Sequence, residues 1–409
     1  VRALARSDAK PELLSTPGNA GICAEARCRE AGSDVAAIVD AAATEGCDLV
    51  VVGPEAPLVE GLVDALEARG VPAFGPSAAA ARLEGSKVHA KSLMAEAGVP
   101  TAGHAVLRTR EEALEHLAHA PYPAVLKADG LAAGKGVIIC STEAEAREAV
   151  DAFFVERRFG ATEVVLEEYL EGEELSLLAL CDGENVLALA PAQDYKRIQD
   201  RDRGPNTGGM GSYSPVPGFD ADRIEEIIDT VHRPIVELMR RRGTPFHGVL
   251  YAGLMLTPGG PKVLEFNCRF GDPETQAVLP RLKTDLLELC LAAREPGGLA
   301  DARADFADAW AVTVVLASAG YPVSLSKGDV IRGLDRVPGD VEVTHAGTSR
   351  DASGAIVTAG GRVLNVTGLG PTPGAARAAA YGAAELIEFE GRQMRTDIAE
   401  RAVERVAAA

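Results

Sequence analysis

A multidomain architecture mixing α/β and α+β parts is predicted by three features of the sequence. The chain has 409 residues, 47% of them hydrophobic, which is enough for more than one core and for two to four domains. Its first hundred residues alternate short apolar runs with 3.6-residue periodicity, as strands and helices taken in turn would. Its middle is dominated by strand patterns and turn glycines, and with 43 Gly, 24 Pro and 4% aromatic residues it suits an α/β enzyme better than an all-β sandwich.

The N-terminal part reads as a Rossmann-like layer. Glu12 to Ser15 leads into the turn Thr16-Pro17-Gly18-Asn19-Ala20-Gly21, and Val35 to Gly46 has helical periodicity. Asp48 to Val52, followed by Gly53-Pro54, reads as a buried strand ending in a turn. Leu58 to Arg69 reads as a helix stopped by Gly70, and Val71 to Phe74, closed by Gly75-Pro76, as another short strand. Ligands of a doubly wound layer sit beyond the carboxyl ends of such strands. Val1 to Ser7 reads as the tail of a helix that the central strand should precede. A strand, glycine turn and helix start of roughly 15 residues are therefore expected ahead of Val1. Without them Asp48 to Val52 would lie at an unpaired edge in mid-sheet.

Ser86 to Ala97, with an N-cap serine, Gly98 past its end and Pro100 beyond, opens a second domain. Strands are predicted at Ala124 to Lys127, Gly136 to Cys140, Glu163 to Glu167, Glu174 to Cys181 and Val186 to Pro191. Ala221 to Arg242 reads as one long helix, His247 to Leu256 and Lys262 to Asn267 as a hairpin around Thr257 to Gly260, and Thr284 to Arg294 as a helix. Glu295-Pro296-Gly297-Gly298 reads as a linker, and Trp310 to Ala409 as short β patterns closed by two Ala-rich stretches. The expected domains are 1–82, 83–296 with a lid subdomain within 118–184, and 297–409.

With 41 Lys plus Arg against 60 Asp plus Glu the net charge is −19. That argues against a nucleic-acid or anionic-lipid partner while leaving room for local phosphate sites. No apolar run reaches the ~18 residues of a membrane span, and the opening residues are not signal-like, so a soluble, cytoplasmic protein is expected. The seven cysteines are odd in number and lack C-x-x-C or zinc spacing, and read as reduced thiols. The seven histidines have no ligand spacing, and no G-x-S-x-G elbow or Cys/His pair suggests a covalent nucleophile.

Four segments carry candidate chemistry. From Lys127 to Val137, a strand ending in lysine, a turn with Gly130, Gly134 and Gly136, and a second lysine, Lys135, would lay amides and two cations over a polyphosphate as a hairpin lid. The spacing is not that of a Walker loop, and a glycine hairpin with solvated lysines fits equally. From Val164 to Leu175, a strand breaks into a loop at Glu167-Glu168-Tyr169-Leu170 and resumes with Glu174. Such a hinge offers backbone groups to an adenine edge and a carboxylate to ribose hydroxyls, or it is an acidic turn. In Lys262 to Thr275, Glu265 and Asn267 fall two apart on one strand face with Arg269 next. That pattern fits Mg2+ bridging nucleotide phosphates or a polar edge strand. Finally Asp194 and Lys196 precede Gly204-Pro205-Asn206-Thr207-Gly208-Gly209-Met210-Gly211, whose four glycines would wrap an anion or form a surface loop.

Together these motifs resemble the ATP-grasp ligases. More narrowly, Gly53 to Leu58, Leu83 to Lys87, Lys127 to Val137, Gly204 to Gly211 and Glu265 to Gln276 resemble the phosphoribosylamine-glycine ligase family, over essentially the whole chain. The resemblance implies an ATP-grasp fold behind the Rossmann-like layer, a small mixed C-terminal domain, and ligation of glycine to 5-phosphoribosylamine with ATP and Mg2+ or Mn2+. Another carboxylate-amine ligase on this scaffold is the alternative. It further implies that Lys87, Lys127, Gly134 and Gly136 hold ATP phosphates, Glu167, Glu168, Tyr169 and Leu170 the adenine, Glu174 the ribose, and Glu265 and Asn267 the metal. Arg269 and Lys135 would be catalytic. Asn19, Gly53, Pro54, Glu55, Asp194, Lys196, Asn206 to Gly211 (Asn206, Thr207, Gly208, Gly209, Met210, Gly211), Asp272, Pro273 and Glu274 would bind substrates. Partners would be these small molecules, the protein a monomer or weak homodimer, with neither nucleic acid nor membrane. Many ATP-grasp enzymes place a second metal-binding acid where this chain has Gly253, as its closer relatives do. No chemistry is assigned to the last hundred residues.

Overall fold

A computed structural model describes residues 1–408 apart from 33, 132–135 and 161–162. Local signals set its first helices: Asp34 accepts from the Ala37 amide and Gly46 turns left-handed at φ +65°, so Val35–Glu45 is capped at both ends. The single helix expected from Leu58 to Arg69 is two, Glu55–Val59 and Leu62–Ala68, divided at Gly61 with φ +89°. Val50–Val51 pairs in parallel with Ala73–Phe74, and Leu14–Ser15 with Arg27–Cys28, as two separate pairs. Val39, Leu58, Leu66 and Val71 form the core between the Val50–Val51 pair and its helices.

The cysteines correct the sequence reading. Cys23 and Cys28, expected as thiols, form a disulfide, because the short helix Ile22–Glu25 and the extended Ala26 bring their Cα atoms to 5.3 Å, a span that suits the bond. Their spacing, from a one-turn helix into the strand that follows it, has no sequence signature. Cys47, Cys140, Cys181, Cys268 and Cys290 are free thiols.

The middle of the chain builds two antiparallel sheets. One, in the order His104–Leu107, Val164–Glu168, Ala124–Ala128, Val137–Cys140, packs on the helices Arg110–Leu117 and Glu143–Phe154. The other runs Val186–Ala188, Glu173–Asp182, His247–Thr257, Gly260–Asn267. The helix Lys87–Ala97 begins as expected, with Ser86 accepting from the His89 amide and Gly98 closing it. The long helix expected from Ala221 to Arg242 is continuous but takes a π turn at Ile228–His232, between Ala221–Ile227 and Arg233–Arg241.

A five-stranded sheet closes the molecule in the order Gln193–Asp194, Gly211–Ser214, Trp310–Ala317, Arg362–Gly370, Glu342–His345. Its first two strands flank the glycine-rich segment Gly204 to Gly211, so that loop grows from the C-terminal sheet. The helix Pro373–Ala384 lies against Arg362–Gly370 so closely that a Cβ on Gly368 would stand 2.4 Å from the Ala376 carbonyl oxygen. No helix among the described residues is long and apolar enough to cross a membrane.

Candidate active site

Both candidate phosphate lysines lie where the two middle sheets meet. The Lys127 ammonium sits 2.9 Å from Glu167 Oε2 and donates to the Leu264 carbonyl at 3.2 Å. Lys87, the first residue of its helix, donates to the Gly130 carbonyl at 3.0 Å. Asp129, just past Lys127, accepts from the Ser86 hydroxyl and the Val88 amide and so ties the end of that strand to the start of the Lys87 helix. Burial draws the Lys87 ammonium below its ordinary pKa, against the pull of Glu265. The Gly136 carbonyl accepts from the Ala128 amide at 2.8 Å, whereas Gly134 and Lys135 lie outside the described residues.

Glu265 and Asn267 are on the strand Gly260–Asn267, paired with His247–Thr257. Phe266 and Cys268 are buried and Leu264 half-buried, so the alternation expected from the pleat holds in its main lines. The Glu265 side chain is 45% exposed. Burial there pushes its carboxyl upward, but Lys196, Lys127, Lys87 and Arg269 outweigh it, and the pKa lies below the ordinary value. Asn267 Oδ1 accepts from Arg269 Nη2 at 3.2 Å. Arg269 is itself held by Glu55 at 3.2 Å and by Glu84 at 3.1 Å, joining the N-terminal unit to this strand. Glu84 also accepts from the Cys268 amide, and burial raises its carboxyl to about 7.

The hinge side chains diverge. Glu167 turns inward between Lys127 and Lys91, while Glu168 turns out to Lys262 at 2.8 Å and to the Gly103 amide at 3.0 Å. Tyr169 is exposed and Leu170 buried, so what the hinge has left to offer a base edge is chiefly backbone. Glu174 lies 3.8 Å from Lys196 and is pushed to about 7 by burial. Lys196 is held by Asp194 at 3.1 Å and reaches to 3.9 Å from Glu265.

The glycine-rich loop is gripped from both sides. Thr207 donates to the Lys196 carbonyl through both its amide and its hydroxyl, and its hydroxyl oxygen accepts from the Gly209 amide. Tyr321 accepts from the Gly208 amide at 3.0 Å, and Arg362 donates to the Gly208 and Asp272 carbonyls, each at 2.8 Å. Asn206 ends a short strand with Arg197 opposite it, and Met210 is buried beneath the loop. Beside Asp272 and Pro273, the buried Glu274 accepts from Ser176 at 3.1 Å and Tyr251 at 3.0 Å. Gly53 and Pro54 end the strand Val50–Val51 and lead to Glu55, the Arg269 partner. Asn19 spends its amide on the His345 and Ala346 carbonyls and on the amides of Gly21 and Ile22.

Sequence reasoning missed Glu84, Lys91, Ser176, Tyr251, Tyr321 and Arg362. Glu84 lies inside a quoted motif, Leu83 to Lys87, and was the one recoverable from pattern; the others are joined to the site only by tertiary packing. Among the described residues no three His, Cys, Asp or Glu side chains are arranged to hold a metal alone. Glu265 and Asn267 offer two oxygens, which suits Mg2+ shared with phosphate and water. The lysines and Arg269 around Glu265 suit a polyanion bound beside that ion.

The family model for the phosphoribosylglycinamide synthetase N domain matches residues 1–84, that for the ATP-grasp (A) domain 85–275, and that for the C domain 311–401. A phosphoribosylamine-glycine ligase from Streptomyces coelicolor is 50% identical over 396 residues, 95% of this chain and 93% of the relative. One from Caldanaerobacter subterraneus subsp. tengcongensis is 47% identical over 98% of this chain and 96% of the relative. The crystal structure of a phosphoribosylamine-glycine ligase from Thermotoga maritima superposes with a TM-score of 0.83 at 37% identity, covering 97% of this chain and 96% of that one. The biotin carboxylase domain of Hydrogenobacter thermophilus 2-oxoglutarate carboxylase, a complex with MgADP, shares the fold at a TM-score of 0.74 and 19% identity, over 96% and 88% of the two chains.

Proposed function

The chain belongs to the phosphoribosylamine-glycine ligase family, and from that premise we propose that it joins glycine to 5-phosphoribosylamine, converting ATP to ADP and phosphate and forming glycinamide ribonucleotide in de novo purine biosynthesis. The observation that carries this reading is the gathering of cations along the strand of Glu265: Lys196 lies 3.9 Å from Glu265, Lys127 bonds the Leu264 carbonyl and Arg269 bonds Asn267, and with Lys87 they hold the Glu265 carboxyl below its ordinary pKa. An ATP polyphosphate needs the cations, and its divalent ion needs the carboxylate. Mg2+, or Mn2+ in its place, would be held by Glu265 and Asn267, and when bound it neutralises phosphate charge.

A glycine carboxylate oxygen attacks the γ-phosphorus and ADP leaves, giving glycyl phosphate. The amine of phosphoribosylamine then attacks the glycyl carbon, the carbon–oxygen bond breaks, and phosphate departs. No enzyme nucleophile is needed, so the protein acts by positioning and charge. Lys87 and Lys127, together with Gly134 and Gly136, hold the phosphates; the backbone of Glu167 to Leu170 holds adenine and Glu174 the ribose. Arg269 and Lys135 steady the acyl phosphate. Asp194, Lys196, the loop Asn206 to Gly211 and Asp272 to Glu274 hold the two substrates. Gly53 to Glu55, together with Asn19, meets the ribose phosphate. The enzyme works in the cytoplasm as a monomer or weak dimer, without nucleic-acid or membrane partners.

The test is multiple-turnover ADP release in the presence of Mg2+, which should require glycine and phosphoribosylamine together, because only the amine clears the glycyl phosphate. ATP consumption indifferent to glycine, or supported as well by another carboxylate, would sink the reading.

A further inference from the structure

The two middle sheets are joined by a buried chain of charges. Glu167 forms ion pairs with two ammonium groups, Lys127 at 2.9 Å from one oxygen and Lys91 at 3.1 Å from the other. The Lys91 and Glu167 side chains are each only 3% exposed, and Lys127, at 11%, is the most exposed of the three. Lys91 lies one helical turn after Lys87 on the same helix face. Its ammonium donates to the Thr101 hydroxyl at 2.7 Å, and that hydroxyl donates to the Val263 carbonyl at 2.7 Å. Lys127 bonds the next carbonyl, that of Leu264. Both lysines are thus moored to the strand that carries Glu265 while sharing one carboxylate of the hinge strand.

Two ammonium groups around one carboxylate leave a net charge of about +1 in this low-dielectric pocket. Without Lys91, the Lys127–Glu167 pair would be neutral. The Lys127 ammonium would then be spent on Glu167, to the loss of whatever anion occupies the cleft. Lys91 is too deeply buried to meet that anion itself.

We propose that Lys91 is a positioning residue for nucleotide binding: by sharing Glu167 it keeps the charge of Lys127 available to the nucleotide phosphates. The proposal rests on the reading above in which Lys127 faces ATP.

The experiment is calorimetric titration of the full-length chain with a non-hydrolysable ATP analogue and Mg2+, using wild type, Lys91→Met, Glu167→Gln and the double variant, with KM for ATP and glycine measured alongside. Lys91→Met should weaken analogue binding about tenfold or more and raise KM for ATP, leaving KM for glycine within about twofold. The double variant restores the net charge and should bind within about threefold of wild type. If Lys91→Met binds like wild type, or if the double variant binds no better than Lys91→Met, the proposal is overturned, since a purely structural lysine would not be rescued by a second change. Where Lys91→Met is not recovered folded, Glu167→Gln decides: freeing both ammonium groups must tighten binding, and weaker binding refutes the proposal. Wild-type protein that does not bind the analogue at all would instead refute the ATP reading beneath it.

Discussion

The Arg362 guanidinium, in the C-terminal sheet, forms an ion pair with Asp272 at 3.0 Å across 90 residues of sequence, and the same side chain holds the Gly208 carbonyl. One residue of the C-terminal domain therefore sets the distance between the two segments proposed to hold the substrates. Arg362→Ala should lose charge-assisted bonds worth about 1.5–3 kcal/mol, lowering kcat/KM for glycine and phosphoribosylamine by about 10- to 100-fold while binding of the ATP analogue is kept. Steady-state kinetics with each substrate varied checks this; unchanged kcat/KM would make the arginine a mere surface contact.

Glu265→Gln keeps the shape of the side chain and removes its charge from a place where four cations hold it ionised. Turnover should fall about 10²-fold or more, as for loss of one charge-stabilising group in a preorganised site. Near-native turnover at limiting Mg2+ would identify the wrong ligand.

Glu84 gives a pH dependence with a definite sign. Burial raises its carboxyl to about 7 despite Arg269 and the Cys268 amide. Between the ordinary carboxylate range and about 7, the folded protein holds a proton that the unfolded chain has lost. Its contribution to stability is full below that window and is lost as pH rises through about 7. Glu84→Gln cannot ionise, so its melting temperature should improve relative to wild type from about pH 5 to about pH 8. Paired thermal melts check the slope, and a difference that is flat or reversed contradicts it.

Gly368 is a packing requirement. A Cβ there would stand 2.4 Å from the Ala376 oxygen and 2.5 Å from the Ala380 nitrogen, both backbone atoms that cannot swing aside. Gly368→Ala should cost about 1–3 kcal/mol and lower the urea midpoint of the C-terminal domain. An unchanged midpoint would mean that the helix Pro373–Ala384 can retreat freely.

What was legible in the sequence was local. Ser86 and Gly98 delimited their helix because a cap and a left-handed stop are one-residue decisions. Glu265, Asn267 and Arg269 could be read together because a strand has a period of two. What was not legible depended on distant partners or on small departures from regularity. The side chains of Glu167 and Glu168 part company because Lys91 and Lys127 are on one side and Lys262 on the other. The break at Gly61 divides one helix, and the π turn at Ile228–His232 locally widens another, while the apolar pattern of each runs on. Asp194 and Gly211 belong to the C-terminal sheet although their neighbours in sequence belong to the middle of the chain, so no reading by segments could give Arg362 its place.

The central claim is that the glycine carboxylate is phosphorylated and then displaced by an amine, on a site built only for positioning and charge. It is tested most directly by turning over glycine labelled with 18O in both carboxylate oxygens, with ATP, Mg2+ and phosphoribosylamine, and analysing the released phosphate by mass spectrometry. The account predicts one 18O atom in each phosphate released, because the oxygen that attacks phosphorus stays with it when the carbon–oxygen bond breaks. Phosphate free of 18O, formed alongside glycinamide ribonucleotide, would contradict it.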